Sequence, residues 1–271
     1  MVDLIALSSL LVVFNYPIRP TKKRASCYKS WLLLTGRIIP CPVCSCTYVA
    51  LFGACIEKDH WRNRSTLTRA WYAFLSRFLE IVRRQYGRDR PSVSSFLLSG
   101  GYEGVCGTIE RWRAGQPKQI CRVSLATDEA HHLALHRLSE DASNVGRVDS
   151  VDINSEQGFQ TTVWGPILWT TIHYVASGFP KRRASERIAF QYREWVRLFG
   201  CVLPCGSCRR NFSHHRRLNH LCLKRSTFVE ACKSLHTNVN ADLGKKACCT
   251  RKQFRLENAP GLTFTIEFLA L

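Results

Sequence analysis

The chain has 271 residues, room for one large domain or two smaller ones, and 45% of them are apolar, which excludes a disordered tail. Fourteen cysteines are too sparse for a disulfide-stapled mini-protein and too many to ignore, and an even count leaves connectivity open. The net charge of +19 invites anionic partners, yet Lys and Arg fall in short groups such as Thr21–Arg24, Lys181–Arg183 and His214–Arg217, so specific nucleic-acid recognition is not expected.

The first apolar run, Leu4–Phe14, is 11 residues long. A membrane span needs about 20. Asp3 precedes the run where a secretory signal carries positive charge. The run is expected to be a buried helix, with a weak surface anchor as the alternative. From about Ser92 to Gly158 the chain is rich in Ser, Gly, Asp and Glu, and only His131–Leu138 has helical periodicity, so this stretch reads as a connector. Helical spacing returns in Trp164–Phe179, with Trp169, Ile172, His173 and Ala176 on one face. It continues in Arg187–Leu203, with a stripe of Ile188, Tyr192, Trp195 and Phe199. Strand alternation is confined to Leu262–Phe268. The predicted class is mainly α.

Tyr28–Cys44 aligns without a gap on Tyr192–Cys208 with seven of 17 positions identical, among them Tyr28/Tyr192, Trp31/Trp195, Gly36/Gly200, Cys41/Cys205 and Cys44/Cys208. Unrelated pairing gives about one identity at ordinary residue frequencies. With small shifts, Tyr16–Pro17 matches Phe179–Pro180 and Arg64–Leu67 matches Arg225–Phe228. An internal duplication is expected. It gives domains of 1–85 and 156–271 joined by a connector at 86–155.

Each copy carries a CxxC. A tetrahedral zinc site needs four ligands, but His214, His215, His220 and Cys222 behind Cys205/Cys208 do not give finger spacing, and behind Cys41/Cys44 stand only Cys46, Cys55 and His60. No metal site is expected. A CxxC opening a helix places one thiol at the positive helix end, which favours thiolate, and Pro204, Arg209 and Arg210 suit that reading. Such a pair is fit for thiol–disulfide exchange, but its electrons need an acceptor, and no thioredoxin-like βαβ pattern surrounds it.

The second copy resembles the Erv/ALR family of flavin-linked sulfhydryl oxidases, including viral members. The resemblance runs in order through Trp164–Pro180, Leu203–Phe212 and Leu235–Lys245. These match a W-G-x-x-x-W-x-x-[LI]-H helix, a PCxxC with a downstream aromatic, and an H-N-x-V-N helix running into L-G-K. The resemblance implies an Erv/ALR-type helical bundle that binds FAD, with the two related bundles packed as an internal pseudo-dimer and a homodimer possible. The implied cofactor contacts are Trp164, Gly165, Trp169, His173, His236, Val239, Asn240 and Lys245. Taken singly, Trp169 and His173 also suit an ordinary helical core. The implied catalytic pair is Cys208, beside the flavin, and Cys205, which exchanges with thiol-containing protein substrates. Electrons would pass to O₂ and give H₂O₂. A family disulfide with 16 intervening residues would join Cys232 to Cys249, with Cys248 competing. Departures are Thr237 in place of Asn, one residue inserted before His236, and Lys246 in place of Pro.

In the first copy the counterparts of Trp169 and His173 are Ala6 and Leu10, and those of His236 and Asn240 are Leu75 and Leu79. It is expected to be a degenerate copy without flavin. Its Cys41/Cys44 pair either shuttles electrons or is a relic disulfide. A viral-type oxidase in host cytoplasm or virion is the expected setting. A zinc-stabilised nucleic-acid-binding module and a protein merely stapled by its cysteines are the alternatives.

Overall fold

The computed structural model describes residues 2–86, 101–106, 161–215, 223–242, 254–255 and 265–266. The helix expected at His131–Leu138 and the residues Lys245, Lys246, Cys248 and Cys249 lie outside them. The protein is mainly helical. Four helices, α1 (Val2–Phe14), α2 (Lys22–Ile38), α3 (Pro42–Cys55) and α4 (Arg64–Tyr86), are followed by a helical turn at 101–106. A second four follow: α5 (Thr161–Ser177), α6 (Glu186–Val202), α7 (Gly206–His215) and α8 (Arg225–Asp242). Two short strands, Phe254–Arg255 and Thr265–Ile266, pair antiparallel with Phe254 opposite Ile266.

Local chemistry sets the helix starts. Thr21 caps α2 by accepting from Arg24 N at 3.2 Å, and Ser185 caps α6 by accepting from Ile188 N at 3.4 Å. Pro42 opens α3, where its missing N–H costs no hydrogen bond. The apolar run of α1 is buried along its length, including Leu10, Leu11, Val12 and Val13. No helix among the described residues is long and apolar enough to cross a membrane.

Each half builds its bundle by the same pairings. In the first, α1 packs on α4, and α3 on α2 and α4; in the second, α5 packs on α8, and α7 on α6 and α8. Parallel details recur. Arg64 Nε donates to the Tyr16 carbonyl at 2.8 Å, and Arg225 Nε donates to the Phe179 carbonyl. The Tyr16 and Tyr28 rings meet edge-on at 4.9 Å, as do Phe179 and Tyr192. Gly36 lets Tyr48 lie against α2, since a Cβ there would be 2.2 Å from the ring. Gly200 does the same for Phe212, at 2.8 Å.

The two halves share one continuous core. It is joined chiefly where α2 meets α6 and α1 meets α5. The Trp31 and Trp195 rings stack there with centroids 5.7 Å apart, both fully buried. Tyr28 Oη donates to the Val202 carbonyl at 3.4 Å, and Tyr192 Oη donates to the Ile38 carbonyl, also at 3.4 Å. Burial of such rings makes this contact apolar and extensive.

Candidate active site

The site is assembled on α5, α7 and α8. On α5, Trp169 and His173 are one turn apart and half-buried. On α8, His236 is buried, with Val239 and Asn240 one turn further on the same side. Packing of α5 on α8 brings these together. The Trp169 and His236 rings stack at 4.0 Å and 9°, and His173 Nε2 lies 2.9 Å from His236 Nδ1. One of those nitrogens must donate and the other accept, so at least one of the two imidazoles is neutral. Burial, and secondarily the nearby Lys233 charge, lowers His173 to a pKa of about 4.

The α7 helix contributes the sulfurs. Cys205 stands at its start, and its Sγ accepts from Cys208 N at 3.2 Å, as an N-cap side chain does. That sulfur therefore sits where the aligned peptide dipoles favour negative charge. Cys208 lies one turn into the helix and Phe212 one turn beyond it on the same face. The Phe212 ring is 5.8 Å from Trp169 and 5.6 Å from Phe199, so it ties the CxxC helix to the Trp–His stack. Cys205 is fully buried, whereas Cys208 is half-buried. Arg209, read from sequence as added positive charge, also donates to the carbonyls of Leu203 at 2.8 Å and Pro204 at 3.4 Å. It clamps the turn that presents the pair.

Trp164 is buried on the first turn and a half of α5, with Nε1 finding no acceptor among the described residues. Asn211 Oδ1, beside Phe212, likewise finds no donor. Buried polar atoms of this kind call for a partner. With a flat Trp–His stack beside them, they suit a planar ligand with its own donors and acceptors. Gly165 has open space about its Cα, and Lys245 lies outside the described residues. Sequence reading had no role for Asn211; its signal is its place three residues after Cys208 on a short helix. Among the described residues no three His, Cys, Asp or Glu side chains converge on a metal position.

The first half places Cys41 and Cys44 alike, with Cys41 Sγ accepting from Cys44 N at 3.3 Å. There the first sulfur is half-buried and the second buried. This turn presses on the second half, since a Cβ at Gly178 would be 2.2 Å from Pro40 Cγ.

A helical bundle that sets a CxxC at a helix start, on a helix packed against a Trp–His stack, is equipped for thiol–disulfide exchange. Residues 166–258 match the model of the Erv1 / Alr family. A probable FAD-linked sulfhydryl oxidase of Acanthamoeba polyphaga mimivirus is 32% identical over 87 residues, 31% of this chain and 60% of the relative. An FAD-linked sulfhydryl oxidase of African swine fever virus is 32% identical over 84 residues, 31% of this chain and 70% of the relative. The chain belongs to the Erv1/Alr family. It spans 60% of the length of the mimivirus relative. No solved structure matches it.

Proposed function

We propose that the protein is an FAD-dependent thiol oxidase that forms disulfides in protein substrates. The observation that carries this reading is the Trp169–His236–His173 stack, joined through Phe212 to the helix bearing Cys205 and Cys208. Family membership and the names of both viral relatives support it. Trp164, Trp169, His173, His236, Val239 and Asn240, with Lys245 and Gly165, would hold the FAD. When bound, it supplies a two-electron acceptor that returns the electrons to O₂ as H₂O₂.

The chain's own residues do the rest. In the oxidised pair, a substrate thiolate attacks Cys205 Sγ, forming a mixed disulfide and releasing Cys208 as thiolate. A second substrate thiolate displaces Cys205 and leaves the substrate as a disulfide. The helix start favours the Cys205 thiolate as leaving group. The Arg209 clamp fixes the turn, and Phe212 packs the Cys208-bearing helix against Trp169. Because Cys205 is fully buried, its encounter with a folded substrate requires local opening around the turn.

The first half serves as a degenerate partner, packed on the catalytic half as a pseudo-dimer. The reciprocal Tyr28 and Tyr192 hydrogen bonds support that arrangement. Thiol-bearing proteins and O₂ are the proposed partners, in a virion or host cytoplasm. The test is oxygen consumption with a small dithiol by purified protein that carries flavin absorbance. Cys208→Ala is expected to keep the flavin and lose turnover; colourless protein, or a variant that still consumes oxygen, overturns the reading.

A further inference from the structure

Cys27 and Cys201 belong to neither CxxC. Cys27 precedes Tyr28 on α2, and Cys201 precedes Val202 on α6. Tyr28 Oη reaches the Val202 carbonyl at 3.4 Å, so the two helices run close there. The helices pass antiparallel there, with Trp31, one turn after Cys27, against Phe199, two residues before Cys201, so the two thiols are neighbours across the contact. Cys201 Sγ also faces its own helix, 3.9 Å from the Arg197 carbonyl. Both sulfurs are half-buried, open enough for a small disulfide to reach. Arg24 lies one turn before Cys27, and Arg197 one turn before Cys201, so a guanidinium flanks each sulfur.

We propose that Cys27 and Cys201 are a redox-controlled lock, a disulfide that ties α2 to α6 in an oxidising setting and opens in a reducing one. The two-fold counterparts of these positions are Gln191 and Arg37, which cannot pair, so the lock closes one rim of the contact only. Burial and the adjacent Cys201 thiol raise the pKa of Cys27, while Arg197 and Arg24 oppose this. Once one sulfur has reacted, the other is in place to complete the bond.

The oxidant is a low-molecular-weight disulfide, so the inference stands apart from the proposed oxidase activity. The Cys27 thiolate attacks one sulfur of oxidised glutathione, giving a mixed disulfide and one glutathione thiolate. The Cys201 thiolate then attacks the Cys27 sulfur, expelling the second glutathione thiolate. The two cysteines lose two electrons, the glutathione disulfide gains them, and the two thiol protons pass to the released glutathione. Tyr28 and Val202 are 174 residues apart, and the cysteines share that spacing, so the bond would close a long loop and restrict the unfolded chain strongly.

The test equilibrates the full-length protein in oxidised or reduced glutathione, blocks free thiols by alkylation and maps tryptic peptides. In a Cys205→Ser/Cys208→Ser background, peptide Ala25–Lys29 carries Cys27 and peptide Leu198–Arg209 carries Cys201, each as its sole thiol. The expected result is a cross-linked pair of these peptides in oxidised buffer that disappears in reduced buffer. The melting temperature should rise by roughly 5 °C on oxidation, a shift lost in Cys27→Ser and in Cys201→Ser. If both peptides emerge alkylated from oxidised buffer, or each carries glutathione with no cross-link, the inference is overturned. The peptide map decides alone if either serine variant fails to fold.

Discussion

Where α4 carries Trp71, Phe74 and Phe78, α8 carries Cys232, Leu235 and Val239 at the corresponding positions. In the first half those rings close the bundle on themselves. Tyr48 meets Phe74 at 4.9 Å and Phe78 at 5.4 Å, and Trp71 meets Phe74 at 4.6 Å. Trp71 even has its N–H answered, by Ser9 Oγ at 3.3 Å. In the second half the rings that meet α8 at these positions are Trp169 and His173 of α5 with His236, half-buried in part and polar at their edges. One helical frame has thus been finished in two ways. A self-filled aromatic core favours stability, whereas the second half sets smaller side chains, imidazoles and an indole beside its cysteine helix.

The largest expected contrast lies between the two sulfur pairs. Cys208→Ala should reduce oxygen consumption on a small dithiol by roughly a thousandfold or more, because the second thiol of the pair is lost. Cys44→Ala, its counterpart, should leave turnover on the same substrate within about twofold, because Leu10, Leu75 and Leu79 stand where the second half has His173, His236 and Asn240. A loss of similar size in both variants would erase the distinction and place Cys44 on the electron route.

The second contrast is with pH. Burial holds the folded-state pKa of His173 at about 4, below its ordinary value of 6.5, so between these two pH values the unfolded chain binds the proton and the folded chain does not. The stabilising contribution is present above pH 6.5 and is lost as pH falls through the window, by up to about 3 kcal/mol. Leu10, in the matching place of the first half, does not titrate. Urea denaturation at several pH values should show this slope, and His173→Asn should flatten it. An unchanged slope in the variant would move the acid sensitivity elsewhere.

Importing the first half's rings sharpens the comparison further. Leu235→Phe with Val239→Phe reproduces the positions of Phe74 and Phe78. Overpacking costs about 1–3 kcal/mol, so flavin binding should weaken roughly 10–100-fold while the helical circular-dichroism signal persists. Undiminished flavin absorbance would mean that these positions do not border the ligand.

Much of this was legible before any coordinates. The helical class followed from spacing, and the Ile188, Tyr192, Trp195, Phe199 stripe does face the core. The three motifs fall on α5, α7 and α8, which pack together, and motif order rather than any single residue carried that expectation. What sequence could not reach was contact between distant residues. Nothing local distinguishes Trp31 as a stacking partner of Trp195, or Cys27 as the neighbour of Cys201. Those depend on how two helices cross, and crossing is set by the whole apolar surface. The second role of Arg209 is of the same kind: a cation next to a CxxC reads as charge, and its fork also reaches two carbonyls in the preceding turn.

The finest test lies at the seam between the halves, where equivalence is closest. Trp195 Nε1 donates to Thr35 Oγ1 at 2.8 Å, and Thr35 Oγ1 in turn donates to the Trp31 carbonyl at 2.8 Å. Trp31 occupies the matching place, but the residue corresponding to Thr35 is Phe199, whose ring lies 5.8 Å from Trp31. A phenyl ring offers no hydroxyl, and Trp31 Nε1 is buried with no acceptor among the described residues. Replacing either tryptophan by phenylalanine removes nearly the same indole area, so the cavity and transfer costs largely cancel between the two variants. What remains is one hydrogen bond. Trp195→Phe should therefore destabilise the protein by about 1 kcal/mol more than Trp31→Phe, measured by denaturant unfolding. Equal costs would mean that the Thr35 hydroxyl contributes nothing to the seam, and a larger cost at Trp31 would mean that its N–H is satisfied by a group the contacts above do not include.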